Sequence, residues 1–422
     1  LKNSQTQNNF ISIILKTDKA EILQHTKINC YTSDGKILTD IYNSQRGYLS
    51  NSQHRLHFGL GKANIDSLEI FWPDNSFQVL KNPKVNQVLT VLKSGSKIKP
   101  EHEQVKKTLF KQAEQTFEKH QENTYSEFDY NRLIDRSYSD FGPDALVLDA
   151  DKDGLEDVII SGGKDQATQF YKQTSSGSFK KINVPVFGLD KYYEDTTLAY
   201  IDANQDGFFD LLIGTASNEN ELTIEHYPVR LYLFNPSKQT YERGRFPDVA
   251  ISTSKILVAD FDSDGLEDVF IAARNQPKTY PKLPKSYVFK QTKGGFLDKT
   301  KEWLTESRLG MLTDAVFEDL NQDGKIELLI VGEWMAPGVF QFDNGFNDIS
   351  KNYDFTGLKG LWESIFVADV NQDGKNDIML GNRGLNNIYK AGSERPLKMA
   401  VGDFDQNSTT DYLMFQTDET GN

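Results

Sequence analysis

Six nine-residue segments, each beginning and ending on an acid and each leading into an apolar run, punctuate the last two thirds of this chain. They are Asp149 to Asp157 (DADKDGLED), Asp202 to Asp210 (DANQDGFFD), Asp260 to Asp268 (DFDSDGLED), Asp319 to Glu327 (DLNQDGKIE), Asp369 to Asp377 (DVNQDGKND) and Asp403 to Asp411 (DFDQNSTTD). From first residue to first residue the steps are 53, 58, 59, 50 and 34 residues. A period this long marks a repeat architecture in which each repeat supplies one sheet.

The segments share a donor pattern. Positions 1, 3, 5 and 9 carry Asp149, Asp151, Asp153 and Asp157 in the first; Asp202, Asn204, Asp206 and Asp210 in the second; and Asp260, Asp262, Asp264 and Asp268 in the third. They carry Asp319, Asn321, Asp323 and Glu327 in the fourth, Asp369, Asn371, Asp373 and Asp377 in the fifth, and Asp403, Asp405, Asn407 and Asp411 in the sixth. Odd positions of a tight loop aim at one centre, and an all-oxygen set of this kind suits Ca²⁺. Gly at position 6 of the first five provides the positive φ of the turn. The position 7 carbonyls of Leu155, Phe208, Leu266, Lys325, Lys375 and Thr409 are further candidate ligands. Five Ca²⁺ sites are expected, with a sixth in the last segment, which has Ser408 in place of Gly.

An EF-hand would need a bidentate Glu at position 12 and flanking helices. Position 12 of the first segment is Ile160, inside a β-branched run, so each loop joins two strands. Paired dockerin-like loops would lie much closer together in the chain. Asp, Asn and Gly also make ordinary solvent-exposed turns, but six such turns in phase point to a shared ligand chemistry.

The formal charge is −14, and six bound Ca²⁺ would offset most of it. No basic face is evident, which argues against nucleic acid as a partner. Cys30 is the single cysteine, so no intrachain disulfide can form. Loops of this kind fill at the millimolar Ca²⁺ found outside cells rather than in the cytosol, so an exported protein is expected: extracellular, at the cell surface or periplasmic. No apolar run is long enough to span a membrane. The chain begins at Leu1, without Met or a leader peptide, and reads as a portion of something longer.

Residues 1–98 hold none of the acidic segments and read as a small β-rich domain. Phe10 to Lys16, Lys27 to Thr32, Ser67 to Trp72 and Gln87 to Leu92 are strand-like. Within it, Arg46 to Gly61 (RGYLSNSQHRLHFGLG) and Ile70 to Asp74 (IFWPD) carry Gly47-Tyr48, Ser50, His57-Phe58-Gly59-Leu60-Gly61 and Trp72-Pro73-Asp74. These resemble the ASPIC/UnbV domain, which accompanies FG-GAP or VCBS repeats in bacterial proteins and in the cartilage acidic protein family. The resemblance implies no chemistry of its own. His54 and His57 alternate without a carboxylate or Cys cluster, which reads as structural rather than metal-binding; Tyr48 and Trp72 read as core.

A polar stretch follows, from Ser94 to Lys107, and places a linker at 99–108. Residues 109–422 form the repeat domain. Each repeat reads as an inner strand such as Ala145 to Leu148, the acidic loop, a second strand such as Asp157 to Ser161, and a two-stranded hairpin. The hairpins are Tyr171 to Ile182, Leu231 to Gly244, Tyr287 to Thr300 and Gly338 to Ser350. Four antiparallel strands per unit make a β-propeller blade. The expected fold is therefore all-β: a propeller of six four-stranded blades, with seven left open, behind a small β domain. The fifth blade is short. The sixth, Lys398 to Phe415, stops after two strands, and the hairpin 109–119 is expected to complete it and so close the ring. The acidic segments, with Phe141-Gly142-Pro143, resemble FG-GAP or VCBS repeats of the integrin-type propeller over about three quarters of the chain. That resemblance implies Ca²⁺ in the loops along one rim.

The opposite rim is where a partner is expected. Tyr192, Tyr193, Arg274, Trp334, Trp362 and Arg383 fall there, as residue types that stack on and hydrogen-bond to sugars or peptides, and that equally fill gaps between blades or form ion pairs. G-x-S-x-G, H-E-x-x-H, P-loop and strand-to-helix G-x-G-x-x-G signatures are absent. The leading expectation is a calcium-binding module for a glycan or protein partner, with an adhesion role and with the metal mainly structural. The alternative is a carbohydrate-active hydrolase or lyase with its site on that rim. A third possibility is a scaffold that only holds the first domain.

Overall fold

The computed structural model describes residues 7–17, 23–43, 45–47, 50–51, 55–93, 97–98, 110, 117–129, 134, 136–355, 357–384, 386, 389–392, 394–407 and 410–416. The chain divides into two compact units, Leu1–Ala113 and Glu114–Asn422.

The first unit is two sheets around one core. Asn9–Lys16 pairs antiparallel with Leu56–Gly61 on one side and parallel with Gln87–Leu92 on the other. The second sheet runs Lys97–Ile98, Ser76–Lys81, Ile65–Phe71, Lys27–Thr32, Ile37–Ile41. Strict alternation shows in Leu56–Gly61, whose Leu56, Phe58 and Leu60 point in while His57, Gly59 and Gly61 stay out; period two is what a half-buried strand requires. Ile11, Ile13, Ile28, Cys30, Leu68, Ile70 and Trp72 fill the space between the sheets. Burial pushes the Cys30 thiol up to about 11, so it is packing material rather than a nucleophile. His57 hydrogen-bonds Ser12 Oγ through Nδ1 at 2.7 Å and stacks on Phe10. Tyr48 and His54 lie outside the described residues.

The second unit is a β-propeller. Its first three blades are separate four-stranded antiparallel meanders, and the fourth, of the same meander, also pairs through Glu333 and Met335 with the first strand of the fifth. They are Ala145–Leu148, Asp157–Ile160, Gln169–Gln173 and Phe179–Ile182; Asp195–Ile201, Asp210–Thr215, Val229–Asn235 and Thr240–Arg243; Ser252–Ala259, Asp268–Asn275, Tyr287–Thr292 and Gly295–Asp298; and Met311–Glu318, Glu327–Met335, Gly338–Phe342 and Phe346–Asp348. The fifth blade shows Gly360–Ala368 and Asp377–Asn382, and the sixth Lys398–Gly402 and Asp411–Phe415, among the described residues.

Second strands are covered by neighbouring blades on both faces. Asp210–Thr215 and Asp268–Asn275 are buried along their whole lengths, which is why they read as continuous apolar runs rather than as alternation. Separate apolar clusters join blade one to two, two to three, and three to four. Gly214 is what lets the second and third blades close up, because a Cβ there would stand 2.6 Å from Thr197 Cγ2 and 2.7 Å from Thr253 Cγ2. A fifth cluster gathers Ile134 and Tyr138 from the lead-in segment with Tyr280, Met311 and Tyr412 of three different blades.

Of the segment 109–119, residues 109 and 111–116 lie outside the described residues. Its described end contacts the first blade: Phe117 packs edge-on against Tyr171, 4.9 Å between centroids, and the Glu118 N–H donates to Tyr171 Oη at 2.9 Å.

Candidate functional site

The first five acidic loops are copies of one backbone shape, and the described residues of the sixth follow it. The position 1 carboxylate accepts the N–H of position 5 on one oxygen and that of position 6 on the other, as Asp149 does from Asp153 at 3.0 Å and Gly154 at 2.9 Å. Asp202, Asp260, Asp319 and Asp369 repeat this pair within about 0.1 Å, and Asp403 keeps the first half with Asn407. Position 6 glycines have φ of 83 to 87°. Position 4 is also left-handed, at φ 58 to 63°, in Lys152, Gln205, Ser263, Gln322, Gln372 and Gln406. None of those is a residue type that advertises the conformation.

Carboxylate oxygens of Asp149, Asp151 and Asp157 come within 4.8 Å of one another, and so do those of Asp260, Asp262 and Asp268 and those of Asp403, Asp405 and Asp411. Asp151 Oδ1 and Asp262 Oδ1 are buried without a hydrogen-bond partner. An all-oxygen set with unpartnered buried oxygens fits a hard divalent cation. The position 5 carboxylates instead accept the N–H of position 7: Leu155 to Asp153, Phe208 to Asp206, Leu266 to Asp264, Lys325 to Asp323 and Lys375 to Asp373. Thr409 and Ser408 lie outside the described residues.

Position 9 has a role that spacing alone does not reveal. Asp157, Asp210, Asp268 and Glu327 are fully buried. The first three accept the N–H of position 2 on one oxygen and an N–H of the third strand, from Gln173, Phe234 or Gln291, on the other. Glu327 accepts Leu320 N–H and the Gln341 side-chain amide. Each thus locks its loop to the hairpin of its own blade. Burial, reinforced by neighbouring loop acids, raises Asp210 and Asp268 to about 6, a deficit of positive charge that a cation would remove.

Two loops supply part of that charge themselves. Lys172, on the third strand of the first blade, pairs with Asp151. Lys290, at the matching position of the third blade, pairs with Asp262 and with Asp264, the latter at 2.7 Å. These are the two loops with Asp rather than Asn at position 3 and Asp at position 5. The matching residues elsewhere are Leu233 and Gln341, opposite Asn204 and Asn321. With the lysine included, the donor set of every loop carries the same formal charge of −3.

The other end of the sheets splits the candidate partner residues into two places. Arg274 and Arg383 converge with Arg136 on the buried Glu333: Arg136 Nη2 and Arg383 Nη2 each lie 2.7 Å from Glu333 Oε1, and Arg274 Nη2 3.4 Å. Tyr138 Oη donates to Glu333 Oε2 at 2.6 Å, and Glu363 faces all three guanidinium groups. Trp334 donates its indole N–H to Tyr280 Oη at 2.8 Å and joins the cluster between blades, while Trp362 donates to Leu358 O at 2.9 Å. Arg274, Arg383 and Trp334 therefore hold blades together, whereas the Trp362 indole bonds only the approach to its own blade.

Tyr192 and Tyr193 behave differently. Their ring centroids lie 4.1 Å apart, and with Lys164, Glu194, Glu219, His226 and Tyr227 they line a small recess, ≈ 30 Å³, open to solvent. Tyr192 is 52% exposed, whereas Glu194 is 4% exposed. The Arg230 guanidinium sits 4.4 Å from the Tyr193 ring centroid and pairs with buried Asp195. Glu219 is satisfied by Lys164 and the Asn123 amide, and Glu122 by His120. Neither oxygen of Glu194 has a hydrogen-bond partner. Burial first, then the charges of Glu122 and Glu219, raise its carboxyl to about 9 against the opposing pull of Ser217 and Lys164. The sequence places Glu194 on this rim but gives no sign that it, rather than its neighbour Asp195, lacks a counter-charge.

Comparison with known proteins agrees with this architecture. Residues 24–98 match the family model "ASPIC and UnbV", and residues 149–213, 260–330 and 319–380 match the FG-GAP-like repeat. Cartilage acidic protein 1 of Xenopus tropicalis is 30% identical over 87 residues, 20% of this chain and 13% of that protein. Its Homo sapiens counterpart is 28% identical over 92 residues, 21% of this chain and 14% of that protein. The match thus spans about a seventh of these relatives' own lengths or less. Among solved structures, an Agrocybe aegerita lectin that recognises non-reducing terminal N-acetylglucosamine aligns over 96% of this chain and 98% of its own, at 14% identity and a TM-score of 0.40. A thermostable family-43 glycoside hydrolase aligns over 58% of this chain and 86% of its own, at 8% identity and a TM-score of 0.33. No helix among the described residues is long and apolar enough to cross a membrane.

Proposed function

Because this chain joins an ASPIC and UnbV domain to a propeller of FG-GAP-like repeats, we propose that it is an exported, calcium-braced binding module. Its partner, a glycan or a protein, seats on the end of the propeller opposite the acidic loops. The observation that carries the reading is the loop geometry: one backbone shape in five loops, kept in the described part of the sixth, each with a donor set of charge −3 once the lysines of the first and third are included. Calcium in this reading is structural. It draws positions 1 and 3 together and so fixes the turn that joins the first two strands of a blade.

Export follows from the same chemistry, since millimolar Ca²⁺ fills loops that cytosolic levels would leave empty. The aromatic and charged recess around Tyr192 and Tyr193 is the part of the opposite end that offers an exposed aromatic ring beside a buried, unpartnered carboxylate. The test is a thermal melt and a glycan array, each run in millimolar Ca²⁺ and in chelator. The reading expects a melting temperature at least 10 °C lower in chelator, and array binding present only with Ca²⁺. An unchanged melt removes the structural role of calcium, and an array without any signal in Ca²⁺ moves the partner from glycan to protein.

A further inference from the structure

The recess beside Tyr192 holds a buried acid with both of its oxygens unpartnered. Glu194 stands at the foot of the first strand of the second blade, 4% exposed, and lines the recess with both carboxylate oxygens unpartnered. A buried acid with at most a weak donor, here Ser217, is disfavoured by its lost hydration. Its neighbour Asp195 avoids this through Arg230 and Thr168. Around Glu194, by contrast, Glu219 and Glu122 add negative charge, and Lys164, whose charge opposes theirs, is already paired with Glu219.

We propose that this recess binds a primary ammonium group, which would donate hydrogen bonds to Glu194 while its carbon stem lies against the exposed ring of Tyr192. The inference rests on the reading of this end as the binding face and names the chemistry of the ligand there. Three considerations select an ammonium over a metal ion. Among the described residues, the acid triads whose oxygens come within 4.8 Å of one another all lie in the acidic loops, and none is here. The walls are tyrosines, whose faces attract organic cations. The recess encloses only ≈ 30 Å³, room for a group little larger than a water molecule and so for a head group rather than a whole ligand. A carboxyl raised to about 9 in the empty recess is consistent with a missing counter-charge.

An ammonium of this kind is carried by a lysine side chain and by an amino sugar, and the experiment separates them. The full chain, in millimolar Ca²⁺, is titrated calorimetrically with N-acetyl-lysine amide, with glucosamine and with N-acetylglucosamine. Saturable binding of at least one of the two amines is expected, with none by the acetylated, uncharged sugar. Glu194→Gln, which keeps the shape and removes the charge, weakens that binding tenfold or more, and Tyr192→Ala, at an exposed side chain, weakens it severalfold. Binding by lysine amide alone identifies a peptide ligand and by glucosamine alone an amino sugar. If neither amine binds saturably, or if Glu194→Gln binds as well as the parent, the proposal is overturned. A neutral glycan on the array with no amine binding would sink this inference and leave the binding-module reading standing; amine binding with a silent array would do the reverse for the glycan partner.

Discussion

Glu194 and Asp195 are adjacent acids with opposite fates, and one side-chain partner makes the difference. Asp195 is paired with Arg230, whereas Glu194 is held near pH 9 by burial and by Glu122 and Glu219. In the unfolded chain Glu194 titrates near 4.5, so between the two values the folded state keeps a proton that the unfolded state has released. Its contribution to stability is complete below about 4.5 and is lost as pH rises toward 9. Melting curves in constant Ca²⁺ should therefore fall across that window, and Glu194→Gln should flatten the fall, at roughly 2–4 °C for each kcal/mol involved. Parallel curves for parent and variant would show that the buried carboxyl is not protonated as described.

At the scale of the loop and its hairpin, the lysines of the first and third blades are the informative element. Lys172 and Lys290 occupy the charge gap that Asp151 and Asp262 open and that Asn204 and Asn321 do not. A cation entering these loops must displace or share the ammonium. Lys172→Met and Lys290→Met should each tighten Ca²⁺ at one loop by about tenfold, which corresponds to about 1.4 kcal/mol. Each should also lower the melting temperature in chelator, because a partly buried acid loses its partner. Calcium titration calorimetry checks both, and an unchanged affinity would mean the lysine stands clear of the ion. The loop itself was legible in nine residues, since turn chemistry and donor spacing are local. The lock formed by position 9 was not, because its second partner, the N–H of Gln173, lies 16 residues away on another strand.

For the whole propeller, the comparable device is Glu333. It ties Arg136 of the lead-in segment, Arg274 of the third blade and Arg383 of the fifth to the fourth blade at one buried point. Glu333→Gln would leave three guanidinium groups facing Glu363 alone. A loss of about 3–5 kcal/mol is expected, as for other buried ion pairs stripped of one partner, measurable by denaturant unfolding in Ca²⁺. A loss below about 1 kcal/mol would show that apolar contacts alone hold these blades together. What the sequence determined by itself was everything set by short-range geometry: the repeat, the oxygen-rich turns, the meander of four strands in each full blade, and the separate β unit before them. Period-two patterning and turn residues act over a few positions, so they survive being read in one dimension. Tertiary structure alone decided which acids find a lysine or arginine and which do not. Arg274, Arg383 and Trp334 share a rim with Tyr192 and Tyr193 in sequence order, yet the first three are committed between blades and the last two border open space. Charge compensation in a buried site depends on distances between segments far apart in the chain, and those distances exist only once the blades have packed.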